Sequence, residues 1–301
     1  MRSWPGFAAS CCTSNPITPS PHHPIIPSPD ARPACDVGRR ARLELVFAYR
    51  RGRTVLAHAY AEPPLRVGRL LDIGPIAQLI LVCSGPGVLA GDRLEQRVRV
   101  ERGARVLLVS QAALQVHPAE AAGPALLDSS YDVEPDGTLD CFWDPLIPFA
   151  DARLKQRIAL QVAEGGRLFW SDALMSGRVA RGEAWRFASL GHELRAVVGG
   201  RLQYLERYTI SPDTRSPWHP WSTAAANYIG TTIVCSDEST AVRVGEAQDR
   251  LTSIGGLQAG VDCLAPNLAV GRLLAERGPD FVAARLTLRN VFGRPALRRG
   301  P

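Results

Sequence analysis

The segment closest to a phosphate-binding loop is Gly85-Pro-Gly-Val-Leu-Ala-Gly91. It follows the apolar run Gln78–Ser84, which is typical of a strand. In a dinucleotide-binding loop of the form G-x-G-x-x-G, the glycines open a helix whose N-terminus holds the pyrophosphate. Here the last glycine comes one residue too late, and residues 92–100 alternate as a strand. The segment therefore predicts a turn and not a dinucleotide site.

Two other catalytic loops are also missing from the sequence. A P-loop needs a lysine followed by serine or threonine, but the single lysine, Lys155, is followed by Gln156. The G-x-S-x-G elbow of a serine hydrolase does not occur. We therefore expect neither an NTPase nor a serine hydrolase of this type.

The residues that commonly bind metals are scattered along the chain. No two histidines stand at i, i+2 or i, i+4, and no C-x-x-C occurs, so no closed structural zinc site is predicted. The His22–His23 pair is interpreted as part of a polar tail, with a weak soft-metal site as the alternative. The odd number of cysteines and their apolar surroundings indicate reduced thiols in a cytoplasmic protein. The residues are His22, His23, His58, His117, His192, His219, Cys11, Cys12, Cys35, Cys83, Cys141, Cys235 and Cys263.

Composition narrows the classes of partner. The net charge is +6 and the pI about 9.1, but the arginines are spread along alternating segments instead of clustering with aromatic residues. Nucleic-acid binding is therefore not expected, and an acidic protein partner or a solvated face is favoured. No run of 18 apolar residues occurs, so no membrane span is expected either. Two carboxylates that are distant in the sequence can lie close together in the fold, as in the active site of a glycosidase. A β-helix carbohydrate-active enzyme that uses such a carboxylate pair is therefore the alternative function.

The chain divides into a tail and one domain. Residues 1–40 hold eight of the 24 prolines, which disfavour helix and strand, so this segment is predicted to be a disordered Pro-rich tail. It lacks the apolar core of a signal peptide. Residues 41–301 are predicted to form one domain.

Period-two alternation predicts that this domain is mainly β. Leucine and valine alternate with charged residues in Asp92–Val100, and Arg153–Val162 shows the same pattern. The apolar runs Gln78–Cys83 and Val106–Val109 indicate more deeply buried strands. Helix signals are concentrated in Pro279–Phe292, which starts with proline and is followed by Gly293.

Four glycine-led turns form an imperfect repeat. Gly103, Gly137, Gly166 and Gly200 each precede an apolar segment, at spacings of 34, 29 and 34 residues. The repeat suggests stacked coils or hairpins. The fold class predicted is mainly β, either β-helix-like or stacked antiparallel sheets, with one or two short C-terminal helices. The Pro- and Trp-containing stretch Ser211–Ala226 is interpreted as a long loop.

Five segments of the chain carry a common set of motifs, which are, in order, Gly85-Pro-Gly-Val-Leu-Ala-Gly91-Asp92, Ser110-Gln111-Ala112-Ala113, Asp144-Pro145-Leu-Ile-Pro-Phe149, Gly177-Arg178-Val-Ala-Arg-Gly182-Glu183 and Gly200-Arg201-Leu-Gln-Tyr-Leu-Glu206-Arg207. Taken together and in this order, they resemble the UreD (UreH) family of urease accessory proteins. The resemblance covers about residues 43–208 and departs from the family pattern at Val109-Ser110, Leu114-Gln115 and Asp144-Pro145. The last departure stands where the family has P-Q-E, so that carboxylate is not carried over. The residues that match the family motifs are Gly85, Gly91, Gln111, Ala112, Ala113, Gly177, Arg178, Gly182, Arg201, Glu206 and Arg207.

The resemblance implies a non-catalytic scaffold with a β-helix-like fold. Such proteins bind apo-urease and the accessory protein UreF, which recruits the GTPase UreG, and together they insert nickel into urease. The resemblance also implies a homodimer within the accessory complex, an internal nickel passage, transient nickel, and no tightly bound cofactor. The missing P-loop agrees with a GTPase on a different chain.

Four residues of the matched region each have two interpretations. Asp92 and Glu183 are the candidates for transient nickel contact; the alternatives are a turn carboxylate bonding local N–H groups for Asp92 and an arginine ion pair for Glu183. Cys83 and His117 are the nearest soft ligands. Cys83 is interpreted as a core residue and His117 as solvent-exposed.

Overall fold

The computed structural model describes residues 38–119, 123–212, 226–236 and 240–293. Most of the predicted tail and residues 213–225 of the predicted loop, including Trp218 and Trp221, lie outside these ranges. Within them, no helix is long and apolar enough to cross a membrane.

Nineteen strands account for most of the described chain. In chain order they are β1 (Arg40–Arg50), β2 (Arg53–Ala61), β3 (Leu65–Val67), β4 (Leu71–Ile73), β5 (Ile76–Cys83), β6 (Arg93–Val100), β7 (Arg105–Ser110), β8 (Leu114–Val116), β9 (Ala125–Val133), β10 (Thr138–Phe142), β11 (Leu146–Pro148), β12 (Arg153–Val162), β13 (Arg167–Ser171), β14 (Leu174–Met175), β15 (Ser189–Val198), β16 (Arg201–Ile210), β17 (Tyr228–Cys235), β18 (Leu257–Ala265) and β19 (Leu268–Ala275).

The strands wind into stacked coils, which confirms the β-helix-like prediction. In the first sheet, β1, β6, β9, β12 and β15 are parallel neighbours, and β2 and β16 pair antiparallel at the edges. In the second sheet, β5, β7, β10 and β13 are parallel, followed by antiparallel β17, then β19 and β18. The short strands β8, β11 and β14 form a third parallel row.

The alternating residues explain why the two sheets face each other. On β6, Leu94, Val98 and Val100 are buried whereas the arginines between them are exposed. Leu79 on β5 and Leu108 on β7 are fully buried and oppose this face in one cluster. Each such aliphatic side chain contributes about 1.5–3 kcal/mol on burial. The core therefore lies between the sheets.

Three of the four repeat glycines mark equivalent turns. Gly103, Gly137 and Gly166 lie in four-residue turns at 101–104, 134–137 and 163–166, each joining a first-sheet strand to the next second-sheet strand. Gly137 and Gly166 are the last residues of their turns, whereas Gly103 is the third residue of its turn. A Cβ on Gly137 would lie 2.9 Å from the carbonyl oxygen of Glu134 in its own turn and 3.3 Å from that of Glu101 in the preceding turn, because each turn is tight and successive turns stack closely. The fourth glycine was wrongly assigned to the repeat: Gly200 lies in the hairpin between β15 and β16, in the other sheet.

Each coil bends a second time within the second sheet. The bends separate β7 from β8, β10 from β11 and β13 from β14, and a parallel bridge from Val88 to Val116 adds the coil of β5 to the same row. These four bends, which we call the bend row, are residues 84–87, 111–113, 143–145 and 172–173.

Two helices, α1 (Thr240–Thr252) and α2 (Gly278–Phe292), pack on the outer face of the second sheet. The predicted helix at 279–292 is confirmed, with Pro279 in its first turn. Arg285 of α2 is 2% exposed and donates to the carbonyl oxygens of Trp143 (2.6 Å) and Ser171 (3.0 Å). Its guanidinium also lies 4.1 Å from the ring centroid of Phe142. The helix is thus fixed to the strands next to the bend row.

Replacing Gly87 by alanine is expected to destabilise the protein more than replacing Gly85. Both have positive φ angles, 119° and 97°, which cost a side-chain-bearing residue about 1–2 kcal/mol. Only at Gly87 would the Cβ also approach backbone, 2.4 Å from the carbonyl oxygen of Gln115; nothing lies within 4 Å at Gly85. Such overpacking adds about 1–3 kcal/mol. Chemical denaturation measures the difference, and equal losses of unfolding free energy would contradict this stacking.

Candidate functional site

A cavity of about 540 Å³ lies between the two sheets and runs along the stack of coils. One wall is formed by β6, β9, β12, β15 and β16, and the other by the second-sheet strands and the bend row. Because neighbouring strands lie about 4.8 Å apart, five adjacent strands correspond to a length of about 19 Å. Gly85, Gln111, Ala112 and Asp144 line the cavity and are exposed, so it opens to solvent among the bends.

A row of polar side chains crosses the first-sheet wall. On each of the four parallel strands β6, β9, β12 and β15 in this wall, a polar residue follows a leucine by two positions and lines the cavity. The members on β6 and β9 pair in register, as do those on β12 and β15, and the row steps by two residues between β9 and β12. Above and below this row the interior divides into two separate apolar clusters. The residues are Gln96, Ser129, Gln156 and His192. This row was not predicted from the sequence; its signal was a polar residue on the apolar face of each of these four strands.

His192 is the most buried member of the row, at 6% exposure. Its ring stacks on Tyr208, with centroids 4.8 Å apart. Its Nδ1 lies 3.2 Å from Oε1 of Gln156, and its buried Nε2 has no hydrogen-bond partner. An unpartnered buried nitrogen costs free energy, and such exceptions frequently coincide with function.

Asp172, in the last bend, faces the cavity from the opposite wall. Its oxygens accept hydrogen bonds from the Thr231 N–H at 3.2 Å and the Trp170 Nε1–H at 3.3 Å. Burial raises the pKa of this carboxyl above its ordinary value, and the nearby His192 imidazole offsets this only in part. Two long hydrogen bonds compensate this half-buried carboxylate incompletely.

An ion pair lies beyond the inner end of the cavity. Glu206 on β16 accepts from Arg272 on β19 at 2.5 Å and from the Thr231 hydroxyl at 3.2 Å. It is 7% exposed, so it links the edge strand β16 of the first sheet to β19 of the second sheet from inside. Its neighbour Arg207 points outward and pairs with Glu193 at 2.9 Å. Arg201 is exposed at the start of β16.

The matched residues Gly85 and Gln111–Ala113 belong to the bend row and line the cavity. Gln111–Ala113 lies in a bend, and only the following residues, Leu114–Val116, form a strand. Two residues that depart from the family pattern, Ser110 and Asp144, are in contact here. The Ser110 hydroxyl donates to the Asp144 carboxylate at 3.0 Å and accepts from the Asp144 N–H at 2.8 Å. The bend row therefore holds together by side-chain contacts between coils.

Asp92 is fully buried and lies outside the cavity lining. It accepts from the Leu89 N–H at 2.9 Å, as expected of a turn carboxylate, and also from the Arg39 N–H at 2.7 Å and the Arg39 guanidinium at 2.5 Å. Burial alone would raise the pKa of Asp92, but these hydrogen bonds outweigh it and hold the pKa below its ordinary value. The preceding Gly91 donates its N–H to Gly123.

Glu183 also lies outside the cavity lining and pairs with Arg178, at 2.5 and 2.7 Å. The short 3-10 turn Val179–Arg181, which lies between Gly177 and Gly182, brings Arg178 and Glu183 together. The hydrogen bond from Arg178 is the main cause of a pKa below the ordinary value for Glu183. Both predicted nickel carboxylates are thus engaged by arginines, and their contact with nickel stays a prediction.

Two assignments from the sequence need correction. His117 is half-buried and not solvent-exposed: its Nε2 lies 2.7 Å from the carbonyl oxygen of Pro86, and its ring contacts Phe149, with centroids 4.8 Å apart. Cys83 is half-buried at the cavity wall and does not belong to the core clusters. For Cys83, the apolar run Gln78–Cys83 predicted the strand but not the bend that follows it.

A cluster that could bind a metal tightly is absent from the described residues, since no three His, Cys, Asp or Glu side chains converge there. The geometry instead offers a long cavity with dispersed polar groups. Such a surface suits weak, exchangeable contacts with a small polar or ionic species.

Comparison with known proteins gives the family. The UreD urease accessory protein family matches residues 39–300. The chain belongs to the UreD family. It is 31% identical over 272 residues to the urease accessory protein UreD of Cupriavidus necator, which covers 87% of this chain and 90% of that protein.

Other UreD relatives match over different lengths. The protein of Lysinibacillus sphaericus is 28% identical over 78% of this chain and 88% of its own length. That of Sorangium cellulosum is 35% identical over 58% of this chain, and the match spans about half of that protein, 55%. Membership of the UreD family confirms the prediction of a non-catalytic accessory protein and argues against the carbohydrate-active alternative.

Replacing Asp92 by asparagine is expected to lower the free energy of unfolding by roughly 2–3 kcal/mol at neutral pH, since it removes charge-assisted hydrogen bonds from a buried site. Glu183→Gln is the control, because the Glu183 carboxylate, which pairs with Arg178, is more exposed than the Asp92 carboxylate. We expect a clearly smaller loss of unfolding free energy for this variant. Denaturant titrations of both variants give the comparison. A larger loss for Glu183→Gln would reverse the assigned roles.

The Asp92 contribution is also expected to depend on pH. Its pKa is depressed in the folded protein, so its stabilisation is complete above the unfolded-state pKa of about 3.9 and disappears as pH falls through the lower folded-state pKa. The difference in unfolding free energy between wild type and Asp92→Asn should therefore shrink below about pH 4. A difference that is constant from pH 7 to pH 2 would contradict the ionised pair.

Proposed function

We propose that this protein is a nickel-insertion chaperone and scaffold for urease in the cytoplasm. It binds apo-urease and the accessory proteins UreF and UreG, forms a homodimer within that complex, and helps to deliver nickel to the urease active site. Nickel passes through it transiently as cargo. Membership of the UreD family supports the accessory role, and the cavity along the coils supports the passage.

The observation that carries the passage is the polar row inside an otherwise apolar interior. A divalent ion entering a dry interior loses its hydration, at a large electrostatic cost. Amide, hydroxyl and imidazole groups at successive strands replace part of that hydration along the whole cavity. Because they are few and mostly uncharged, they bind weakly and allow release.

Two features support the scaffold role: the missing P-loop and the charged outer face of the first sheet. The sequence has no P-loop, so GTP hydrolysis belongs to UreG. The outer face of the first sheet presents rows of opposite charges, such as Arg42, Glu95 and Arg157, to a protein partner. Charge patterns of this kind favour specificity and association rate more than affinity.

The direct test is urease activation in a heterologous host. The urease structural genes and the other accessory genes are expressed with and without this gene, and both urease activity and bound nickel are measured. Without it, urease should accumulate as soluble, nickel-poor apoprotein. Active, nickel-loaded urease in its absence would overturn the proposed function.

A cavity-filling variant tests the passage separately from the scaffold. Ser129→Trp places a large side chain in the cavity, and we expect it to lower nickel loading strongly while the protein still co-purifies with urease. Ser130→Trp is the matched control, because the next residue of the same strand points to the outer face. Equal nickel loading with both variants would exclude this cavity as the route.

A further inference from the structure

We propose that Asp172 and His192 together form a station that holds one divalent transition-metal ion inside the cavity. Its identity as a stage on the nickel route rests on the function proposed above. The station uses neither Asp92 nor Glu183, the two carboxylates that the sequence suggested.

The two side chains approach the same space from opposite walls. His192 comes from β15 in the first sheet, and Asp172 from the bend after β13 in the second. They are near enough for the imidazole to influence the carboxyl electrostatically, but no direct hydrogen bond or ion pair joins them. An ion with its remaining water ligands fits between such a pair.

The hydrogen bonding of His192 leaves the correct nitrogen available. Oε1 of Gln156 can only accept, so Nδ1 of His192, 3.2 Å away, carries the proton. In that tautomer Nε2 has a free lone pair, and it is the nitrogen without a partner. A histidine held through one ring nitrogen by an oxygen acceptor and free at the other is the usual arrangement of a metal ligand.

Asp172 supplies the negative charge. Within the described part of the chain, its hydrogen bonds come only from a backbone N–H and an indole N–H, and no arginine pairs with it. The guanidinium of the nearby Arg285 donates instead to the Ser171 hydroxyl and to the carbonyl oxygen of Trp143. A divalent cation would compensate this carboxylate better than two neutral donors do.

One imidazole and one carboxylate, completed by water, suit Ni²⁺, Co²⁺ and Zn²⁺ better than Mg²⁺ or Ca²⁺. Two protein ligands bind more weakly than the three or four of a resident metal site. The station therefore releases its ion readily, as a transfer point requires.

Cobalt titration of the full chain tests the station, with visible absorption reporting nitrogen–oxygen coordination of Co²⁺. All proteins carry His22→Gln and His23→Gln, which removes the adjacent pair in the tail. We expect one site of moderate affinity, weakened about tenfold or more by Asp172→Asn and by His192→Phe. His192→Phe keeps an aromatic ring against Tyr208. Glu193→Gln is the matched control on the opposite face of β15 and should leave the affinity unchanged.

The outcomes separate the station from the proposed function. Thermal unfolding first identifies which variants are folded, and either folded variant is sufficient. Unchanged Co²⁺ affinity and spectrum in a folded variant would overturn the station, even if urease activation depends on the chain. If activation does not depend on the chain but both variants lose Co²⁺, the proposed function fails and the metal site stands.

Discussion

The hydrogen bonding between successive parallel strands is the interaction on which the rest of the structure depends. It fixes each coil at the strand spacing above the previous one and keeps equivalent residues in register. The four-residue turns stack because β7, β10 and β13 are paired residue by residue. The same register places Gly85, Gln111, Asp144 and Asp172 in one row of bends. A function that needs groups in sequence along a line is therefore available from local repetition alone.

The polar row is maintained against the hydrophobic effect. Filling the inward positions of Gln96, Ser129, Gln156 and His192 with aliphatic residues would join the two apolar clusters into one and increase buried apolar area. The protein instead keeps a cavity and leaves Nε2 of His192 without a partner. Other parts of the structure contribute more to stability: the apolar cluster that contains Leu79 and Leu108, and ion pairs with a buried carboxylate, such as Arg39–Asp92 and Arg272–Glu206. Such a division is common where an interior must remain accessible.

Much of the fold was predictable from the sequence, because the pattern is local. Alternation predicted β6 and β12, proline and glycine delimited α2, and three of the four glycines marked true repeats. A second C-terminal helix was allowed for, but α1 was not located, because Thr240, Val242 and Gly245 give its first turns a weak helix propensity. The candidate site was harder to predict, since it is defined by contacts between coils. Nothing near Asp92 in the sequence indicates Arg39 as its partner, and the raised pKa of Asp172 depends on burial that only the assembled sheets create.

The lengths of the connections limit how this architecture can diverge. The turns at 101–104, 134–137 and 163–166 all have four residues, and the three bends at 111–113, 143–145 and 172–173 have two or three. The return connections from the third row to the first sheet vary freely, spanning 117–124, 149–152 and 176–188. Insertions and deletions can accumulate at this one corner without shifting any strand out of register. Evolution can therefore remodel one flank of the molecule while the interior is inherited intact.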